Sequence, residues 1–260
     1  MKALKRNLLV AIGELLVFVM LFASATYAFL YVATSIKIED MDLQIQTVGQ
    51  LLIRNMQDPL DEFSKQITFN LDEENEGIYD EVTTVNGIDF FYEFYNQEVL
   101  FEEGFFVRDF AFISNVDMNV YLDSIGDEIF TTTSTGGEAD VVNALRIGFV
   151  PFTYDGDIKV YEEPPISIYS RLREQTFVYQ DPNYQEDQKE IEEEMVDGIY
   201  VDNFTTLGKE GGHILFSVEA NVERYVRLLI WVEGNDPDSI AKIAQADFSV
   251  NIQFVGEHIW

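Results

Sequence analysis

The chain reads as an all-β protein, a jelly-roll-like β-sandwich with an N-terminal hydrophobic signal or anchor helix and a minor helical insertion. Three observations predict this. Alternating apolar and polar runs recur at roughly ten-residue spacing, Gly, Asn and Pro punctuate them, and stretches with helical periodicity are scarce. A hydrophobic share of 47% over 260 residues is enough to fill one large core without a second domain.

The first element is the leader. Lys2, Lys5 and Arg6 precede an apolar run from Leu8 to about Val32, interrupted by Gly13, Glu14 and small hydroxyl residues. Ala23, Ser24, Ala25, Thr26 and Ala28 supply the small side chains that a signal peptidase needs at positions −3 and −1, which predicts cleavage after Ala28 with Thr26 at −3, Ala23-Ser24-Ala25 being the other candidate. The competing expectation is an uncleaved membrane anchor over residues 1–32, since about 20 apolar residues span a bilayer. Glu14 weighs against it, because a carboxylate near the bilayer centre costs about 3 kcal/mol. Residues 1–28 are therefore assigned to the signal, and 29–260 to a single sandwich domain with an acidic insertion at about 170–198.

Ile36, Ile38, Met41, Leu43 and Ile45 then alternate with polar residues, with a one-residue slip at Asp40. Period two with a slip predicts a strand carrying a bulge. It is either an ordinary first strand or one lent to a neighbouring subunit. Val48–Met56 fits a strand or a short helix, and Ile67–Leu71 fits a strand. Within Val82–Leu100, Asn86-Gly87 is the pair favoured in two-residue hairpin turns. Phe106–Phe112 and Met118–Leu122 alternate on either side of an Asn115 turn. Ala144–Phe152 is almost wholly apolar, as expected of a strand buried on both faces. A short strand follows at Ile158–Tyr161, and Pro164-Pro165 stops it. Gln185–Val196 is charged nearly all round and predicts a solvated helix or loop. His213–Ala220 alternates through Ile214, Phe216 and Val218, Val226–Val232 is the most hydrophobic strand beyond the leader, and Phe248–Val255 alternates as the last.

Charge bounds the partners. The formal net charge is −31, and the leader carries three cations against one anion, leaving −33 on residues 29–260. Such a surface repels nucleic acid and anionic lipid, and it repels its own copies until salt or divalent cations screen it. With no cysteine there are no disulfides and no thiol nucleophile, and with two histidines a zinc site lacks ligands.

No residue set points to catalysis. Carboxylate pairs such as Asp127/Glu128 or Glu162/Glu163 are expected by number alone in a chain with 47 Asp plus Glu, and a G-x-S-x-G elbow is absent. Calcium is the one ligand that the composition keeps open. Asn235, Asp236 and Asp238 place hard oxygens in one turn, and Asp155 and Asp157 flank Gly156, although turn chemistry explains both without a metal. Tyr92, Tyr95, Tyr179 and Tyr184 are candidate aromatic contacts for a carbohydrate or protein partner.

The leader ends A-T-Y-A before Phe29, a turn falls at Glu103-Gly104, Arg108 and Phe110 make an Arg-x-Phe strand, and Asn115 with Asp117 lies beyond it. Taken together these short motifs resemble the TasA/camelysin family of exported biofilm-matrix and cell-surface proteins. The C-terminal W-V-E-G-N-D-P-D turn and F-S-V-N-I-Q-F strand are similar to related clostridial surface proteins. The resemblance implies an extracellular, non-enzymatic subunit that assembles when the N-terminal strand of one copy completes the sheet of the next. The assembly residues would be Phe29, Leu30, Tyr31, Val32, Ile36, Ile38, Met41, Leu43 and Ile45. Cleavage after Ala28 would expose Phe29-Leu30-Tyr31-Val32, whose burial favours association by about 25 cal/mol per Å². The alternative is a monomeric, membrane-anchored sandwich that binds a carbohydrate or a cell-surface protein.

Overall fold

The computed structural model describes residues 18, 20, 36–47, 50–57, 61–70, 78–79, 81–84, 87–92, 97–98, 104–126, 128–132, 141–162, 166–171, 205, 207–208, 213–234 and 247–259. In chain order its strands are β1 (Ile36–Thr47), β2 (Leu51–Asn55), β3 (Gln66–Asn70), β4 (Ile78–Tyr79), β5 (Glu81–Thr83), β6 (Phe91–Tyr92), β7 (Gln97–Glu98), β8 (Phe106–Ser114), β9 (Met118–Ser124), β10 (Phe130–Thr132), β11 (Leu145–Asp155), β12 (Ile158–Tyr161), β13 (Ser167–Ser170), β14 (Phe216–Val218), β15 (Arg224–Glu233) and β16 (Asp247–His258). A four-residue helical turn, Val141–Ala144, leads into β11.

These strands form two sheets. In the first the order is β14-β9-β16-β1-β3, with β10 added beside β16 and β4 beside β1. In the second it is β12-β11-β15-β5-β6-β7, with β13 also on β11 and β8 joining β15 to β2. Alternation sets which side chains enter the space between them. Leu43, Val120, Ile252 and Phe254 come from the first sheet and meet Phe110, Phe112, Ile147, Phe149, Leu228 and Ile230 from the second, all buried in one cluster. Rings interlock across the layers, with Phe254 edge-on to Phe112 at 5.1 Å and to Phe149 at 5.9 Å. The protein is thus an all-β sandwich.

The second sheet is covered on its other face as well. Val107, Val150, Leu229 and Trp231 alternate with the inward residues and pack with Val82, Phe90, Ile166 and Ile168 in a smaller cluster. This is why β11 reads as apolar in sequence: its first eight residues are all buried. Close approach in this layer requires glycine at 148, because a Cβ there would lie 2.7 Å from Ile166 Cδ1 and 3.1 Å from Trp231.

Four sequence expectations meet the structure differently. The slip at Asp40 is a bulge, since Ile38 pairs with Phe248 and Met41 with Val250. Within Val48–Met56, Leu51–Asn55 is strand, β2 pairing with β8. The two-residue turn expected at Asn86-Gly87 is not formed. β5 and β6 do pair, but Thr83 faces Phe91, so the connection runs through residues 84–90. Thr84 Oγ1 donates to Asp89 O and accepts from Gly87 N, and the loop carries Phe90 into the outer cluster. Burying a phenyl ring outweighs a turn preference. The predicted strands on either side of Asn115 both exist, but they belong to different sheets, and the turn arches between layers.

The leader, apart from helical Phe18 and Met20, lies outside the described residues, as do residues 172–198 of the acidic insertion. Among the described residues no helix is long and apolar enough to cross a membrane.

Candidate functional site

The candidate assembly stretch divides in two. Phe29, Leu30, Tyr31 and Val32 lie outside the described residues, whereas Ile36, Ile38, Met41, Leu43 and Ile45 all belong to β1. β1 is paired along both edges within its own chain, parallel to β16 and antiparallel to β3 and β4. Met41 and Leu43 are fully buried. The exposed register of β1 is polar, and there the Thr68 hydroxyl meets Asp42 at 2.5 Å.

The two ends of this sheet differ. At the start of β1, Lys37 stands opposite Asp247, while β14 sits at the other end, where Phe216 pairs with Val120 and Val120 with Gly256. Nine residues of β16 separate those levels, about 30 Å along the strand. The far pole is tied by the residues of the Asn115 turn. Asn115 Oδ1 accepts from Gln50 N, Asp117 Oδ1 accepts from Ala220 N at 2.7 Å, Asp117 O accepts from Ile259 N, and Asn221 N donates to Ser114 O. Asn221 takes φ +61°, a conformation that asparagine tolerates better than most residues. Arg108 and Phe110 lie in β8, Phe110 buried and Arg108 half-buried with its guanidinium over the Phe106 ring; Gly104 precedes them at φ +80°.

Beside that pole the layers are unequal in width. Among the described residues the first sheet ends at β14, while the second continues to β12. Between them lies a groove of about 640 Å³ lined by Pro151, Thr153, Ile214, Phe216, Val222 and Arg224. Its apolar rim is in water, with Ile214 47% and Val222 51% exposed. Ile158 and Val160 fall in the same register as Thr153 and Pro151, so they point toward the side on which the first sheet has ended; they are 71% and 46% exposed. Three carboxylates, of Glu162, Glu219 and Glu223, border the groove. Arg224 forks onto Glu162 through both nitrogens, and Arg54 reaches Glu223 at 3.1 Å. Nothing local in the sequence marks this groove, because it exists only where one sheet outruns the other.

The opposite face of the β11–β12 hairpin holds an aromatic and ionic cluster. Phe152 stacks on Tyr225 at 5.7 Å, and Tyr154 stands edge-on to both, 5.5 Å from Phe152 and 5.3 Å from Tyr225. Asp109 accepts from Lys159 and, at 2.9 Å, from Arg227 Nε. Burial raises the Asp109 carboxyl's proton affinity, but the Arg227 and Lys159 hydrogen bonds outweigh it and hold the group below the usual carboxylate range. Burial pushes the Tyr225 phenol up, and the neighbouring Glu223 carboxylate adds to the rise.

Of the calcium candidates, Asp155 and Asp157 stand in the exposed turn between β11 and β12, where Gly156 takes φ +63°. Glycine first in a two-residue loop with positive φ there is the type II′ pattern, which accounts for the turn without a metal. Asn235, Asp236 and Asp238 lie outside the described residues. Among the described residues no three His, Cys, Asp or Glu side chains are grouped as a metal would need. Of the candidate aromatics, Tyr92 packs against the outer cluster, while Tyr95, Tyr179 and Tyr184 lie outside the described residues. Compared with known proteins, the chain matches no protein-family model, no curated protein and no solved structure.

Proposed function

We infer that the chain is an exported structural subunit of a cell surface or extracellular matrix, a jelly-roll-like sandwich that joins copies of itself through the segment preceding β1. The observation that carries this reading is the separation of two features along the first sheet. β1 begins at one end, and the unmatched groove beside β14 lies about 30 Å away at the other. With cleavage after Ala28, residues 29–35 are seven in number and reach about 24 Å fully extended. That is too short for their own groove, so a neighbour's is the one they fill. An added strand beside β14 would cover Ile214 and Val222, and its main chain would pair with the sheet edge. Donor and acceptor at opposite poles make the contact heterologous, the geometry that propagates as a filament. The net charge of −33 on residues 29–260 makes assembly depend on salt, since like-charged copies must be screened before they meet.

The test is the mass and N-terminal sequence of protein recovered from its native source, with negative-stain images of the same sample. A start at Phe29 with filaments present is the expected result, and deleting residues 29–35 should leave a folded, unpolymerised sandwich. An intact Met1 in the membrane fraction with single particles only, or filaments that survive the deletion, would overturn the reading.

A further inference from the structure

We propose that the outer face of the second sheet at the β11–β12 hairpin is a binding site for a neutral polysaccharide, with the ring of Tyr154 as its stacking surface. The inference does not depend on the assembly reading, because Tyr154, Lys159 and Asp109 do not line the groove, although Phe152, Glu223 and Tyr225 border both.

A sugar ring has an apolar face of C–H groups and a rim of hydroxyls. A site for it needs a flat aromatic face held still in water and fixed donors and acceptors around that face. Both are present. Tyr154 is 41% exposed, yet its ring is braced edge-on by Phe152 and Tyr225. Bracing matters because the ordering cost has been met before a ligand arrives. Tyr161 lies one strand over, half-buried, with the Arg227 guanidinium 5.7 Å from its ring centre. The polar rim is locked by ion pairs. Lys159 and Arg227 are held on Asp109, and Arg54 and the Tyr225 hydroxyl on Glu223. Carboxylate lone pairs and ammonium or guanidinium protons therefore border the tyrosines in fixed positions.

Charge selects the ligand class. Arg54, Lys159 and Arg227 against Asp109 and Glu223 leave this face within one unit of neutral, on a chain of net charge −31. A polyanion is repelled by the molecule as a whole, and a polycation is drawn to its acidic remainder rather than here. A neutral polymer meets neither bias, and the paired groups offer it hydrogen bonds without demanding a counter-charge.

The experiment is affinity gel electrophoresis of the full chain through gels containing amylopectin, mixed-linkage β-glucan, galactomannan or xylan, with alginate as the polyanion control. Retardation by at least one neutral polymer is expected. Tyr154→Ala should bind about tenfold more weakly, the loss expected of one aromatic partner. Tyr154→Phe, which keeps the ring, should bind like the parent. Should the alanine variant lose the β-sheet circular dichroism of the parent, Tyr154→Leu, which keeps apolar bulk without a flat face, replaces it. The proposal is overturned if no neutral polymer retards the chain, if alginate alone does, or if ring-less variants are retarded equally. It is also overturned if the variants alter only particle size in light scattering, which would make this face a contact between copies.

Discussion

β1 and β12 carry the same kind of pattern and meet opposite fates. In β1, Met41, Leu43 and Ile45 alternate with polar residues and are 0%, 0% and 9% exposed. In β12, Ile158 and Val160 alternate with Lys159 and Tyr161 and are 71% and 46% exposed. The difference is not in the strands but in what lies across from them. β1 is flanked by β16 and β3 and faces the second sheet, while β12 extends past the last strand of the first sheet among the described residues. Alternation makes a strand with an apolar side, and only an opposing layer makes that side a core.

The sharpest way to break the comparison is to truncate both strands. Leu43→Ala should destabilise the sandwich by about 2–5 kcal/mol, the range for a buried leucine left as a cavity, measured as the urea midpoint at constant m-value. A loss below about 1 kcal/mol would mean that Leu43 is not sealed between the two sheets.

A smaller effect is expected at the charge cluster that pins the hairpin to the sheet. Asp109→Asn should cost about 2 kcal/mol, less than a fully buried pair because Asp109 is 15% and Lys159 30% exposed. The pH dependence fixes the sign. The carboxyl's affinity for protons is lowered by folding, so its contribution is complete above the unfolded value of about 4 and is lost as pH falls through the lower folded value. Parent and variant should therefore differ at neutral pH and converge below about pH 4 in urea titrations. A gap that widens on acidification would sink the assignment.

The smallest effect on the fold belongs to β12. Ile158→Ser should change stability by no more than about 0.5 kcal/mol, since the side chain is already in water. It should also weaken sedimentation of the chain at high salt if the uncovered strip joins copies. Unchanged sedimentation beside unchanged stability would leave Ile158 without a part in assembly.

Legibility followed the range of each interaction. The bulge at Asp40 was readable because a slip in period two is local, and β11 was readable because burial on both faces leaves no polar register. Asn86-Gly87 misled, since its preference is worth less than seating Phe90 against Trp231 at 5.8 Å. Asp109, Lys159 and Arg227 could not have been joined by spacing, for they lie 50 and 118 residues apart in the chain. The groove left no trace at all, because it is a difference in width between two sheets.

By itself the sequence determined the strand content, the apolar registers, the charge of −31 and the lack of thiols, all of which are sums or short-range periodicities. Tertiary structure decided the partners: β1 parallel to β16, whose paired residues lie 209 or 210 apart in the chain, the Asn115 turn as an arch rather than a hairpin, and Tyr154 beside Tyr225. The physical reason is that strand pairing and layer packing are non-local. Many strands of one sequence carry compatible registers, and the sandwich that buries the most apolar surface selects among them.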